Sequence, residues 1–219
     1  MGKPGTDALV FNKKTECFLC ATFEYPVMKN VSEKTLFRQF KEFGRDLFLR
    51  GLISSHAGNM SARIGNRIHI TGRGAMLGRL ERGDIVSIDI GSDDRDAARG
   101  PSSEAPVHRA IYRETGALAI VHAHPPYATL LSITEDLLIP VDWEGSYFFK
   151  KIPVLMPGKR GGKKDAADMI GKGMKDHKAI LVRGHGSFAR GDTLEEAYML
   201  TSSLEASAFF IYKGTFLRN

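Results

Sequence analysis

Helical and extended segments interleave along this chain, which predicts an α/β domain with helices layered on a sheet. Two local patterns carry that expectation. Apolar residues between positions 36 and 48 recur at helical spacing, whereas residues 60–64 and 67–71 alternate about a Gly-Asn turn as the arms of a hairpin do. A third observation is that no internal repeat and no linker interrupts the pattern. A length of 219 residues is enough for one domain with a full core. That domain is expected at 31–219, preceded by an N-terminal arm at 1–30 of mixed turn formers and aromatics.

The elements follow in order. Ser32 reads as an N-cap with Glu33 in the first turn. Leu36, Phe37, Phe40, Phe43, Leu47 and Phe48 then form the core stripe of a helix ending near Gly51. In the hairpin, Gly65-Asn66 supplies the positive φ of a two-residue turn. Residues 85–90 form a strand, 91–101 a polar loop, and 104–115 a helix opened by Ser102 or Ser103. A strand at 118–122 leads to Pro125-Pro126, which starts a short helix running to about Ser132. Strands at 152–156 and Ala179–Val182 flank a helix at about 165–176. Asp192 or Thr193 caps a long last helix with Ala197, Leu200, Leu204 and Phe209 on its apolar side.

The net charge of +6 raises nucleic-acid binding, but Lys and Arg are spread along the whole chain. The densest cluster (Lys159, Arg160, Lys163, Lys164) sits in a glycine-rich stretch without the interleaved aromatics of a base-stacking platform. No nucleic-acid partner is expected, and a basic surface suits an enzyme that gathers phosphorylated substrates. No apolar run is long enough to span a bilayer, so no membrane partner is expected either. The first seven residues lack a signal-peptide profile, and the cytoplasm is the expected location. Cys17 and Cys20 form half of a zinc knuckle with no second half, since the first histidine is His56. They read as an inert reduced pair.

The chemistry concentrates elsewhere. In Val121-His122-Ala123-His124 the two imidazoles are two residues apart on a strand, so they project from one face at the strand's tip. His185 lies between Gly184 and Gly186 just after another strand, where glycine permits a sharp turn and a close approach. These three read as metal ligands. His56, His69, His108 and His177 have no such spacing, and His69 and His108 read as satisfied, partly buried structural residues. Ser102 and Ser103 precede a helix, whose N-terminus is a ready anion site.

Pro-Ser-Ser-Glu at 101–104, Val-His-Ala-His-Pro-Pro-Tyr-Ala-Thr at 121–129 and Gly-His-Gly at 184–186 resemble the class II aldolase and adducin family. Gly58-Asn59 and Ile70-Thr71-Gly72 fit its two other signatures, and the similarity runs from about 32 to about 213. The resemblance implies a three-layer α/β/α sandwich around a largely antiparallel central sheet, assembled as a homotetramer with active sites between subunits. In fuculose-1-phosphate aldolase-type members, three histidines and a glutamate bind zinc. Carried over, these are His122, His124, His185 and Glu104, a set that accepts Zn2+, Mn2+ or Co2+. The matching serines, Ser102 and Ser103, bind substrate phosphate there with residues matching Asn59, Thr71 and Gly72.

Two departures from the family pattern stand out. Thr71-Gly72-Arg73-Gly74 replaces a small polar segment, so Arg73 either adds a cation to the phosphate pocket or faces solvent. Trp143 stands where those aldolases place a proton-donating tyrosine, which tryptophan cannot replace. Asp142, Glu144 or Tyr147 is then the substitute, with Glu144 and Tyr147 assigned as catalytic and Trp143 as packing at a subunit contact. Tyr212 is a further candidate to reach a neighbouring subunit's site, and fuculose phosphate itself is not the expected substrate.

Glu104 has two expected roles: metal ligand, and general base once substrate oxygens displace it from the cation and its basicity rises. Glutamate here favours an aldolase, since the family's epimerases carry aspartate and its dehydratases no carboxylate at this position. The expected reaction is reversible cleavage of a ketose 1-phosphate, a phosphorylated small sugar, to dihydroxyacetone phosphate and an aldehyde. The alternatives are a sugar-phosphate dehydratase, a 4-epimerase or a sugar-acid-phosphate decarboxylase. An adducin-type binding module would have lost the ligands that are intact here.

Overall fold

Sequence periodicity and capping set the first helix, α1 (Glu33–Leu49), in the computed structural model, which describes residues 32–91, 100–158 and 163–217. The expected arm at 1–30, the Cys17/Cys20 pair, Lys159 and Arg160 lie outside the described residues. Ser32 Oγ accepts the Thr35 N–H at 3.2 Å, so the N-cap satisfies a backbone donor that the helix itself cannot. Leu36, Phe40 and Leu47 point into the core.

The hairpin is β1 (Asn59–Ile64) and β2 (Arg67–Thr71), in register from Ile64 opposite Arg67, with Gly65 at φ +58°. Next come β3 (Ile85–Asp89), α2 (Ala105–Glu114), β4 (Ala119–Ala123), α3 (Pro126–Leu131) and β5 (Leu137–Leu138). The chain continues through α4 (Trp143–Phe148), β6 (Ile152–Leu155), α5 (Lys163–Met174), β7 (Ala179–Val182), β8 (Gly186–Gly191) and α6 (Leu194–Phe216). Among the described residues, none of these helices is long and apolar enough to cross a membrane.

The strands form one sheet in the order β3-β2-β1-β4-β8-β7-β6-β5, in which β6 and β7 pair in parallel and the other neighbours are antiparallel. This is the expected three-layer α/β/α arrangement with a mixed, mostly antiparallel sheet. Alternation along β4 shows how the layers form. Ala119, Val121 and Ala123 pack towards α1 and α6, while Ile120 packs with Ile111 and Tyr112 of α2 and Met174 of α5. Both faces of β4 are therefore covered, and all five of its residues are buried.

Several expectations shift by a residue or two, as helix and strand ends commonly do. The exception with consequences is Glu104, which is the N-cap of α2 rather than its first helical residue. Three elements escaped the periodicity altogether: β5, α4 and β8. β8 reads Gly-Ser-Phe-Ala-Arg-Gly, with too few bulky residues to alternate visibly, yet it pairs with β4 on one side and β7 on the other. Its smallness has a reason. A Cβ on Gly186 would lie 2.3 Å from Ala123 O and 2.7 Å from His124 Cδ2, so only glycine lets the two strands close at that point.

Candidate metal centre

One row of residues runs across the sheet through Asn59 on β1, His122 on β4 and Phe188 on β8. The His122 ring stacks on Phe188 at a centroid distance of 4.3 Å, which sets the imidazole's plane. Its Nδ1 donates to Ser187 O at 2.9 Å, which assigns the proton of the neutral ring to Nδ1 and leaves Nε2 as a bare acceptor. His124, two residues on, projects from the same face, and its Nε2 lies 2.9 Å from His122 Nε2. Gly184 at φ +64° turns the chain between β7 and β8, and His185 arrives from that turn as the third imidazole. The three rings sit 4.8, 4.9 and 5.0 Å apart, centroid to centroid. Their ligand nitrogens all lie within 4.8 Å of one another.

Glu104 supplies the fourth group. An N-cap carboxylate ordinarily accepts a hydrogen bond from its own helix, but Glu104 makes no side-chain capping bond. It turns instead to the imidazoles, with Oε2 at 3.1 Å from His122 Nε2 and Oε1 at 3.6 Å from His185 Nε2. Ser102 Oγ accepts the Glu104 N–H at 3.3 Å, a backbone contact that leaves the carboxylate uncommitted. Burial pushes His122 well below the ordinary imidazole pKa, and the fields of His124 and His185 add to the effect. His124 is lowered by burial and then by His185. Both are therefore neutral at pH 7, with lone pairs to offer. A proton between two rings would satisfy only one contact of this group, whereas a divalent cation fits the three imidazole nitrogens together, with the Glu104 carboxylate against two of them.

A cleft of about 200 Å³ opens beside these residues, lined also by Asn59, Gly72, Arg73, Ser102 and Ser103. Its two walls are joined by backbone hydrogen bonds, Ser102 N to Thr71 O at 3.1 Å and Arg73 N to Gly100 O at 3.0 Å, about a bridge between Gly72 and Pro101. Asn59 Nδ2 donates to Glu104 Oε2 at 2.9 Å, so the residue expected to bind phosphate and the expected base share a contact. Arg73 is exposed and lies at the rim of the cleft. Thr71 is placed differently from expectation. Its side chain is buried and its Oγ1 accepts the Met60 N–H at 3.2 Å, so it braces the hairpin and does not line the cleft.

Within a single chain, the residues expected to donate a proton are also elsewhere. Glu144 Oε1 accepts from Ser203 Oγ of α6 at 2.7 Å, Asp142 caps α4 through Gly145 N, and Tyr147 is 59% exposed beside Phe148. Trp143 is 64% exposed. None of the four lines the cleft. The sequence reading overlooked His56, which does line it, and it stopped at a structural role for His108. The overlooked signal for His108 was its place four residues after Glu104, one helical turn along the same face.

Residues 38–212 match the family model of the class II aldolase and adducin N-terminal domain. The chain belongs to the class II aldolase and adducin family. Among its relatives, the L-fuculose phosphate aldolase of Methanocaldococcus jannaschii is 32% identical over 176 residues, covering 78% of this chain and 92% of that one. A 3-oxo-tetronate 4-phosphate decarboxylase of Haemophilus influenzae is 31% identical over 204 residues, covering 87% and 93%. The crystal structure of L-fuculose-1-phosphate aldolase from Thermus thermophilus superposes with a TM-score of 0.78 at 38% identity, covering 84% of this chain and 95% of that one. Relatives of this class II aldolase family member thus carry out more than one kind of reaction, and the family alone does not select among them.

Proposed function

We propose that this protein is a divalent-metal-dependent aldolase that reversibly cleaves a ketose 1-phosphate to dihydroxyacetone phosphate and an aldehyde. The observation that carries the reading is the position of Glu104: a helix-capping carboxylate withheld from its helix and turned to two members of a three-imidazole group, His122 and His185, beside an anion-suited cleft. His122, His124, His185 and Glu104 would hold Zn2+, Mn2+ or Co2+, and the bound ion would supply Lewis-acid polarisation of the substrate ketone. Asn59, Ser102, Ser103, the backbone of Gly72 and the Arg73 guanidinium would bind the substrate phosphate, the serines preceding the N-terminus of α2. Glu104 moves the proton at the carbon beside the ketone, taking it in condensation and returning it in cleavage.

The aldehyde side needs a second proton carrier. Glu144 and Tyr147 on α4 are proposed for it, reaching the cleft of a neighbouring copy in a homotetramer. Exposed Val141, Trp143, Tyr147 and Phe210 make the α4–α6 side an apolar surface suited to such a contact. A cytoplasmic location belongs to the same proposal.

Release of dihydroxyacetone phosphate from a panel of ketose 1-phosphates, with each metal added in turn, tests the reading. Water loss or inversion at C4 without carbon–carbon cleavage would overturn it. A second reading, decarboxylation of a sugar-acid phosphate, is favoured by the similarity to the Haemophilus decarboxylase and by Trp143 at the position of the aldolase tyrosine. Carbon dioxide release from a phosphorylated 3-oxo sugar acid would select it.

A further inference from the structure

The hydrogen bonds that hold Asn59 continue away from the cleft through three side chains to which the proposed reaction gives no part. His108 Nε2 lies 2.6 Å from Asn59 Oδ1, Ser61 Oγ lies 2.6 Å from His108 Nδ1, and the Tyr112 hydroxyl lies 2.8 Å from Ser61 Oγ. All of these residues are buried, His108 and Ser61 completely. Their order in space interleaves two periodicities. Asn59 and Ser61 are two apart on β1 and share a face, while Glu104, His108 and Tyr112 are four apart on α2 and its cap. Strand and helix contribute alternately, giving Tyr112, Ser61, His108, Asn59 and Glu104 in sequence.

One end of this chain sets the direction of every bond in it. The Glu104 carboxylate can only accept, so Asn59 must turn its NH2 towards it and its carbonyl towards His108. His108 must then donate from Nε2, which leaves Nδ1 bare to accept the Ser61 hydrogen, and Ser61 in turn accepts from Tyr112. Reversing the order would set the Asn59 carbonyl against the Glu104 carboxylate, two acceptors at 2.9 Å with no hydrogen between them. Burial pushes His108 down to about 3 and raises Tyr112 well above its ordinary phenol value, so neither link ionises near neutral pH.

We propose that His108, backed by Ser61 and Tyr112, is a positioning residue that locks the Asn59 amide with its hydrogens towards the cleft, one on Glu104 Oε2 and the second for an anionic oxygen of the substrate. A single planar group thereby aligns the base with the anion site. The roles given to Glu104 and the anion rest on the aldolase reading, whereas the direction of the hydrogen bonds does not.

The test begins with the imidazole tautomer, read by long-range 1H–15N NMR on the full chain. The Nε2–H form of His108 is expected across pH 5 to 9, and the Nδ1–H form would overturn the proposal. His108→Gln can keep an N–H facing Asn59, while His108→Leu cannot, and Tyr112→Phe removes the last donor. In folded His108→Leu, kcat should fall about tenfold to a hundredfold, the range for partners that orient a metal ligand. The visible spectrum of its cobalt(II)-loaded form, taken without substrate, should change as well. His108→Gln should recover most of both.

Wild-type kcat and an unchanged cobalt spectrum in folded His108→Leu would overturn the proposal, as would a Gln variant no better than the Leu one. If the Leu variant fails to fold, the tautomer, His108→Gln and Tyr112→Phe decide. A wild-type protein that takes up no cobalt would instead overturn the metal-centre reading and leave the tautomer result to judge the orientation of Asn59.

Discussion

The two ends of this domain treat their polar and aromatic side chains in opposite ways. At the β1–β4–α2 end, His122, Asn59, His108, Ser61 and Tyr112 are buried and each is hydrogen-bonded within the chain, so the geometry of the candidate site is set by one copy alone. At the α4–α6 end, Trp143, Tyr147 and Phe210 face outward, and Glu144 bonds to a serine of its own fold. The contrast teaches that the set of residues proposed to hold a cation and an anion and to act as base is complete in one chain. The surface that would finish the site on the aldehyde side is not. Buried polar groups must find partners locally, because an unmet one costs more than the bond is worth. Exposed aromatic groups carry no such constraint and are available to another molecule.

Breaking the self-contained end should have the largest effect. His122→Ala removes the proposed ligand at the centre of the group. It should abolish stoichiometric metal, measured by elemental analysis, and lower kcat/KM about a thousandfold, corresponding to several kcal/mol of lost charge stabilisation. Glu104→Gln keeps the size and loses the charge. The expected outcome is a kcat lower by about a hundredfold, in the range for a lost acid/base group, with metal partly retained.

Gly186→Ala brings a methyl against the Ala123 carbonyl and the His124 ring. It should destabilise the fold by about 1–3 kcal/mol in denaturant titrations and weaken metal binding through His124. At the other end, Tyr147→Phe sharpens the comparison. If this surface completes a neighbour's site, kcat should fall about tenfold while metal content and KM stay put. An unchanged kcat would return the α4 surface to a packing role.

The effect that vanishes at neutral pH is a pH dependence of stability. His108 is neutral in the fold down to about 3, whereas in the unfolded chain it takes a proton near the ordinary imidazole value of 6.5. The unfolded state therefore binds more protons below that value. The stability contributed by the neutral ring is complete above about 6.5 and is lost as pH falls towards 3, by roughly 1 kcal/mol per pH unit. Denaturant midpoints measured from pH 7 to 4 should fall less steeply in His108→Gln, which has no proton to gain. Parallel slopes in the two proteins would contradict the burial argument.

Much of the site was legible in one dimension because its residues sit at positions whose geometry is local. Strand periodicity puts His122 and His124 on one face, paired glycines mark His185, and two serines before a helix mark a candidate anion site. The placement of Thr71 was not legible. A threonine at a strand end serves a ligand or a neighbouring backbone N–H equally well, and only the register of β1 on β2 brings Met60 N within reach. β8 was invisible for a similar reason, since its residues are chosen for close approach to β4 rather than for their own propensity.

By itself the sequence determined the layered α/β class and the family and singled out the candidate ligands, because motifs and periodicities are properties of neighbouring residues. Tertiary structure alone decided that Glu104 turns from its helix to the imidazoles, that Asn59 and His108 join a buried chain of hydrogen bonds, and that Glu144 and Tyr147 lie apart from the cleft. Those outcomes depend on which strand pairs with which and on which face a helix packs. They follow from the burial of the whole core, and no stretch of neighbouring residues contains that information.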